Sequence, residues 1–139
     1  MNWLFWALLS AFFAGATAVL AKIGVSNVNS NLATAIRTTV VLFFTWGLAL
    51  ATATPSALAK ITHRTWLYLV LSGLATGISW LCYFRALQLG EASRVAPVDK
   101  LSVVFVLVFA ALFLHEPLTW KHLTGAVLIV AGAVVLASA

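Results

Sequence analysis

The sequence predicts an all-α integral membrane protein in which five transmembrane helices form one compact bundle. Three observations carry that expectation. Of 139 residues, 63% are hydrophobic and 8% charged, against roughly 45–50% and 25% in a soluble domain. No soluble fold of this size hides so much apolar surface. Charge-free stretches of about 20 residues, the length that crosses a hydrocarbon core, recur along the chain, and short runs of turn-forming and polar residues separate them. This composition excludes a soluble enzyme, a nucleic-acid-binding domain and a disulfide-stapled secreted module. The net charge of +5 does not argue for nucleic acid, because the basic residues are scattered rather than gathered on one polar face. Cys82 is the sole cysteine, which leaves no intrachain disulfide and no thiol-based metal site.

The first span, 3–21, is uncharged and ends at Lys22. It lacks a basic amino-terminal region and is long for the apolar core of a signal peptide, so it is expected to remain as a span. The second, 31–52, follows the turn Asn27-Val28-Asn29-Ser30-Asn31 and takes in Arg37. The third, 65–89, lies beyond the longest loop, which holds Thr54-Pro55-Ser56, Lys60, His63 and Arg64. On it Gly73 and Gly77 form a small-xxx-small face, and Trp80, Tyr83, Phe84 and Leu87 form an aromatic stripe. The fourth is unusual, because its uncharged part, 101–114, is too short to span; the full helix, 93–114, must include Asp99 and Lys100. The fifth, 119–137, starts at an N-cap Thr119 after His115-Glu116-Pro117 and carries Gly125 and Gly132. Connections this short make consecutive helices antiparallel neighbours, so 1–139 reads as a single membrane domain.

Five crossings place the termini on opposite sides of the bilayer. Lys60, Arg64 and Lys121 then lie on the amino-terminal side, and Lys22 and Arg94 on the other, with Arg37 and Arg85 near that second surface. The Lys and Arg excess that normally sets orientation is about nil. Either weaker cues or a partner orient the chain, or it inserts both ways and pairs antiparallel.

Arg37 and the Asp99-Lys100 pair each sit about six residues into a helix, roughly 9 Å from the same surface. Charges at that depth are expensive and face a partner or a wet cavity. Snorkelling accounts for Arg37 and Lys100 but poorly for an acid. Two compatible readings remain, an ion pair between Asp99 and Arg37 and a polar cavity used by a substrate. Lys22 shares a helix face with Ala11, Gly15 and Ala18, as an interfacial anchor or a ligand-binding group. Trp80 and Tyr83 carry polar tips that seek partners in an apolar interior. The spacing of His115, Glu116 and His122 matches no metal motif, and no nucleophile-base-acid set or glycine-rich phosphate loop is present. Neither catalysis, a cofactor nor a metal is expected.

The run Tyr83-Phe84-Arg85-Ala86-Leu87-Gln88-Leu89-Gly90-Glu91-Ala92, followed by Ser93-Arg94-Val95-Ala96-Pro97 and a helix ending Leu114-His115-Glu116-Pro117-Leu118-Thr119, resembles the EamA domain of the drug/metabolite transporter superfamily. So does the closing helix from Gly125 to Gly132, although His115 stands where Gly is common. Most relatives carry two such five-helix halves of opposite orientation; this chain looks like one half. The resemblance implies a multi-pass protein of the bacterial inner membrane and a secondary transporter working by alternating access as an antiparallel ten-helix homodimer, or as a heterodimer with a sister chain. A small anionic or zwitterionic, amino-acid-like metabolite is the expected solute, with Arg37, Lys100, Trp80, Tyr83 and Lys22 binding it and Asp99 as counter-ion or proton carrier. The small multidrug exporters of the superfamily rely on a carboxylate in helix one, and none is present here. A lipid-linked-sugar flippase subunit and a non-transporting subunit of a larger complex are the alternatives.

Overall fold

A computed structural model describes residues 2–138 except 55, 57 and 59. Among the described residues there is no strand, and five segments are long and apolar enough to cross a membrane. They are α1 (Trp3–Val25), α2 (Ser30–Thr52), α3 (His63–Leu89), the tandem α4 (Ala92–Asp99) and α5 (Ser102–Phe113), and α6 (Trp120–Ser138). The chain is thus an all-helical, multi-pass membrane protein.

Polar residues in the turns set the helix starts. Asn29 caps α2, its Oδ1 accepting from the backbone N–H of Asn31 at 2.9 Å and of Leu32 at 3.4 Å. Thr62 does the same for α3: its hydroxyl accepts from the Thr65 N–H at 3.3 Å and its carbonyl from the Trp66 N–H at 3.0 Å. At α6 the expected cap Thr119 is in place. Its carbonyl accepts from the His122 N–H at 2.9 Å, while its own N–H donates to His122 Nδ1 at 3.2 Å. The bond to Nδ1 is the half of a capping box in which the N3 side chain reaches back to the N-cap N–H, here with His in the Glu position.

The fourth span differs from the continuous helix read from hydropathy. Between α4 and α5 the ladder tightens from i→i+4 to i→i+3: Lys100 N–H donates to the Pro97 carbonyl at 3.1 Å, Leu101 to Val98 at 3.0 Å, Val103 to Lys100 at 3.1 Å and Val104 to Leu101 at 2.9 Å. Pro97, inside α4, has no N–H to give to Ser93, and Asp99 and Lys100 come two and three residues after it. The joint therefore falls just past the missing ladder bond, at the charged pair Asp99-Lys100.

The chain divides into two compact units, Gly24–Gln88 and the combination of Met1–Ile23 with Leu89–Ala139. In the first, α2 and α3 are tied by Gln88, whose Nε2 donates to the Val28 carbonyl at 3.0 Å. Val25, Ser30, Thr34, Phe84 and Leu87 are its buried residues, Val25 and Leu87 at 0% exposure. Thr34 satisfies its buried hydroxyl by donating to the Ser30 carbonyl at 2.8 Å. In the second unit, α6 packs against α4 and, less extensively, α5. The buried residues there are the small Ala18, Ala21, Ala110 and Ala133, as befits helices that associate by close backbone approach. Most large apolar side chains are exposed on both units, the expected condition of a surface solvated by lipid.

Candidate functional site

The unit Gly24–Gln88 contains no Asp or Glu, yet α2 carries Arg37 seven residues past its first residue, Ser30, about 10 Å along the axis. The helix places Ser30, Thr34, Arg37 and Thr38 on one face, with Ser30 and Thr34 buried and Arg37 half-buried. On α3 the stripe read from sequence supplies what faces this cation. The Arg37 guanidinium carbon lies 4.1 Å from the Trp80 ring centroid and 5.5 Å from that of Phe84. Tyr83, between them in sequence, is within electrostatic reach of the same charge. Aromatic faces stand in for a carboxylate here. A guanidinium over Trp is the favoured cation–π pair, and its attraction grows when water is excluded.

This arrangement determines what Arg37 can do chemically. The rings lie within cation–π range of the guanidinium carbon, and the guanidinium keeps a fork of N–H groups that can donate to a ligand. That fork matches the two oxygens of a carboxylate or phosphate. Thr34 and Thr38 add no competing acid, and their hydroxyls donate to carbonyls of their own helix, Thr38 to Thr34 at 2.8 Å. Of the residues assigned from sequence, the structure brings together Arg37, Trp80 and Tyr83. Phe84 completes the group and was visible in the sequence as the i+4 neighbour of Trp80 on the same face.

The other candidates belong to the second unit. Asp99 and Lys100 pair with each other, Nζ to Oδ2 at 3.3 Å, at the joint of the fourth span. Lys22, half-buried at the end of α1, donates from Nζ to the Gly90 carbonyl at 2.8 Å, just past the end of α3. On the same turn Glu91 and Arg94 form an exposed pair at 3.5 Å. Among the described residues no three His, Cys, Asp or Glu side chains come together as a metal site.

The EamA-like transporter family model matches residues 1–138. An uncharacterised transporter encoded in the cobO 3' region of Sinorhizobium sp. is 55% identical over 98% of this chain and 96% of its own length. The probable 4-amino-4-deoxy-L-arabinose-phosphoundecaprenol flippase subunit ArnE of Enterobacter sp. strain 638 is 30% identical over 60% of this chain and 78% of its own length. The uncharacterised transporter YvbV of Bacillus subtilis strain 168 is 40% identical over 45% of this chain, a match that covers 20% of that longer protein. No solved structure matches. Five apolar spans, a family match over nearly every residue and bacterial transporters as relatives lead to one conclusion: the chain belongs to the EamA-like transporter family of the drug/metabolite transporter superfamily, as a multi-pass protein of the bacterial inner membrane.

Proposed function

We propose that the chain is a half-transporter that carries a small organic anion by alternating access, with Arg37 as the group that receives the anion. The observation behind this reading is the Arg37 guanidinium stacked on Trp80 in a unit without a single acidic residue. A cation at this depth that lies against rings in a unit without acids is suited to an oxyanion brought by the substrate. Trp80 and Phe84 position the guanidinium, and Tyr83 lines the same site. Without a carboxylate in Gly24–Gln88, a substrate ammonium has only carbonyl and hydroxyl acceptors in this unit, which favours a net anion over a zwitterion.

The substrate test is a thermal-shift screen of the purified protein against anionic metabolites, followed by liposome uptake of each hit. Arg37→Gln is expected to abolish uptake while the protein still folds, Arg37→Lys to retain part of it, since a lysine keeps the charge but loses the planar fork, and Lys60→Gln to leave it unchanged. Equal losses from Arg37→Gln and Lys60→Gln would remove the basis of this assignment.

The ArnE relatives support a second reading, in which the anion is the phosphate of a lipid-linked sugar and the chain is one subunit of a flippase. Uptake of a water-soluble anion into sealed liposomes favours the first reading. Translocation of a phosphoprenyl-sugar without any soluble substrate favours the second. Loss of assembly alone in the Arg37 variants would favour a non-transporting subunit.

A further inference from the structure

We propose that the α2–α3 end of the Gly24–Gln88 unit is a binding surface for the headgroup of an anionic glycerophospholipid. The basic residues of this unit are Arg37, Lys60, Arg64 and Arg85, and it holds no acid to balance them. Two are engaged inside the unit: Arg37 lies on Trp80, and Arg85 donates from Nη1 to Gln88 Oε1 at 2.7 Å. Both of those lie towards the opposite end of the helix pair. Lys60 and Arg64 stand exposed at the α2–α3 end. Their counter-charge is therefore not within the unit.

Arg64 is not simply an unordered surface cation. Its guanidinium carbon sits 5.8 Å from the ring centroid of Tyr68, one turn further into α3, within range of a cation–π contact. Beneath it, by depth along the two helices, come amphipathic aromatics. Trp66 lies three residues and Tyr68 five residues past the first residue of α3, and Trp46 six residues before the last residue of α2. At 1.5 Å per residue these depths are about 5, 8 and 9 Å, where Trp and Tyr prefer to lie at a membrane interface. All three are exposed, Trp46 and Trp66 at 46%. Further in, Phe43, Leu69, Val70 and Leu74 are exposed aliphatic and aromatic surface.

From the surface inward the order is cation, amphipathic ring, apolar side chain. A glycerophospholipid has the same order of phosphate, ester-bearing glycerol and acyl chain. A free phosphate would use only the first layer. A zwitterionic lipid would bring its own cation to Lys60 and Arg64 and lose the attraction that an anionic headgroup gains.

Native mass spectrometry of the full chain, with phosphatidylglycerol and phosphatidylcholine supplied in equal amounts, tests the proposal. Wild type should retain phosphatidylglycerol in roughly ten- to thirty-fold excess, the selectivity expected of two basic residues at an anionic surface, and the excess should shrink as salt rises. Lys60→Gln with Arg64→Gln should bring the ratio close to one. Arg64→Lys with Lys60 intact should keep most of it, and Arg85→Gln, at the far end of the unit, should leave it unchanged. Equal retention of the two lipids by wild type would overturn the proposal, whatever the folding of the variants. So would an equal loss in Arg85→Gln, or thermal stabilisation by inorganic phosphate as large as that by phosphatidylglycerol.

Discussion

His115 has φ of 54°, a left-handed conformation that L residues other than Asn, Asp and Gly adopt at a cost of about 1 kcal/mol. The turn is used: it brings the Glu116 N–H back to the Ala110 carbonyl at 3.2 Å and stops α5. His115→Gly should therefore raise the thermal midpoint in detergent by a degree or more without altering transport, and His115→Val should lower it, because a β-branched side chain tolerates this conformation least. Lys22 presents a different question. Its ammonium donates to the carbonyl of Gly90 at 2.8 Å, beside the negative end of α3, and a hydrogen bond to a charged group of this kind contributes about 1.5 kcal/mol. Lys22→Met should lower stability and leave the KM of the folded protein unchanged. A raised KM at unchanged stability would instead support the reading of Lys22 as a substrate-binding group.

At the scale of elements, the five spans and their turns were legible because membrane helices announce themselves by length and by the absence of charge, and Thr119 marks a start that the structure keeps, whereas the caps at Asn29 and Thr62 emerge only in the structure. The division of the fourth span into α4 and α5 was not legible. Hydropathy registers how apolar a segment is, whereas the joint depends on which N–H reaches which carbonyl, and the residues that shift that ladder, Pro97, Asp99 and Lys100, read in sequence only as polar intrusions into a helix of adequate length. The candidate site was legible by the same measure in part: charge at depth singled out Arg37, and helical spacing gave the aromatic stripe. That Trp80 and Phe84 hold the guanidinium is pairwise geometry between helices, which one sequence does not display. The joint carries its own prediction. An i→i+3 stretch in mid-span bends more easily than an α-helix, and α4 is packed on α6 more extensively than α5 is. If α5 swings about 100–101 during transport, Pro97→Ala should raise the thermal midpoint and slow turnover while substrate affinity stays the same. A static kink predicts that turnover is unaffected.

For the whole molecule the question is what completes the half-transporter. A Cβ placed at Gly73, Gly77, Gly125 or Gly132 meets no atom within 4 Å, so these glycine faces approach nothing among the described residues of their own chain, and the Phe105, Phe109 and Phe113 row on α5 is exposed along its length. Glycine faces of this kind let helices from different chains come close where lipid tails would otherwise lie. A second copy in inverted orientation would use them and would give each side of the membrane the same gate chemistry, an arrangement suited to alternating access. The loop charges read from sequence permit it, since Lys60, Arg64 and Lys121 stand against Lys22 and Arg94 with partial contributions from Arg37 and Arg85, and the signal that fixes orientation is a difference in Lys and Arg between sides. The prediction is dual topology. With Cys82 replaced by Ser, single cysteines at Ser56, in the α2–α3 connection, and at Glu91, in the α3–α4 turn, should each label from outside intact cells in about half of the molecules when this chain is expressed alone. Labelling confined to one of the two positions means a fixed orientation, and the inverted partner is then a sister chain with the opposite charge bias. Adding Lys at both Ser56 and Ala53 should convert a dual-topology chain to a single orientation and abolish transport, and co-expression with a copy biased by Lys at Glu91 and Ala92 should restore it, because only the mixed pair again contains one half of each orientation.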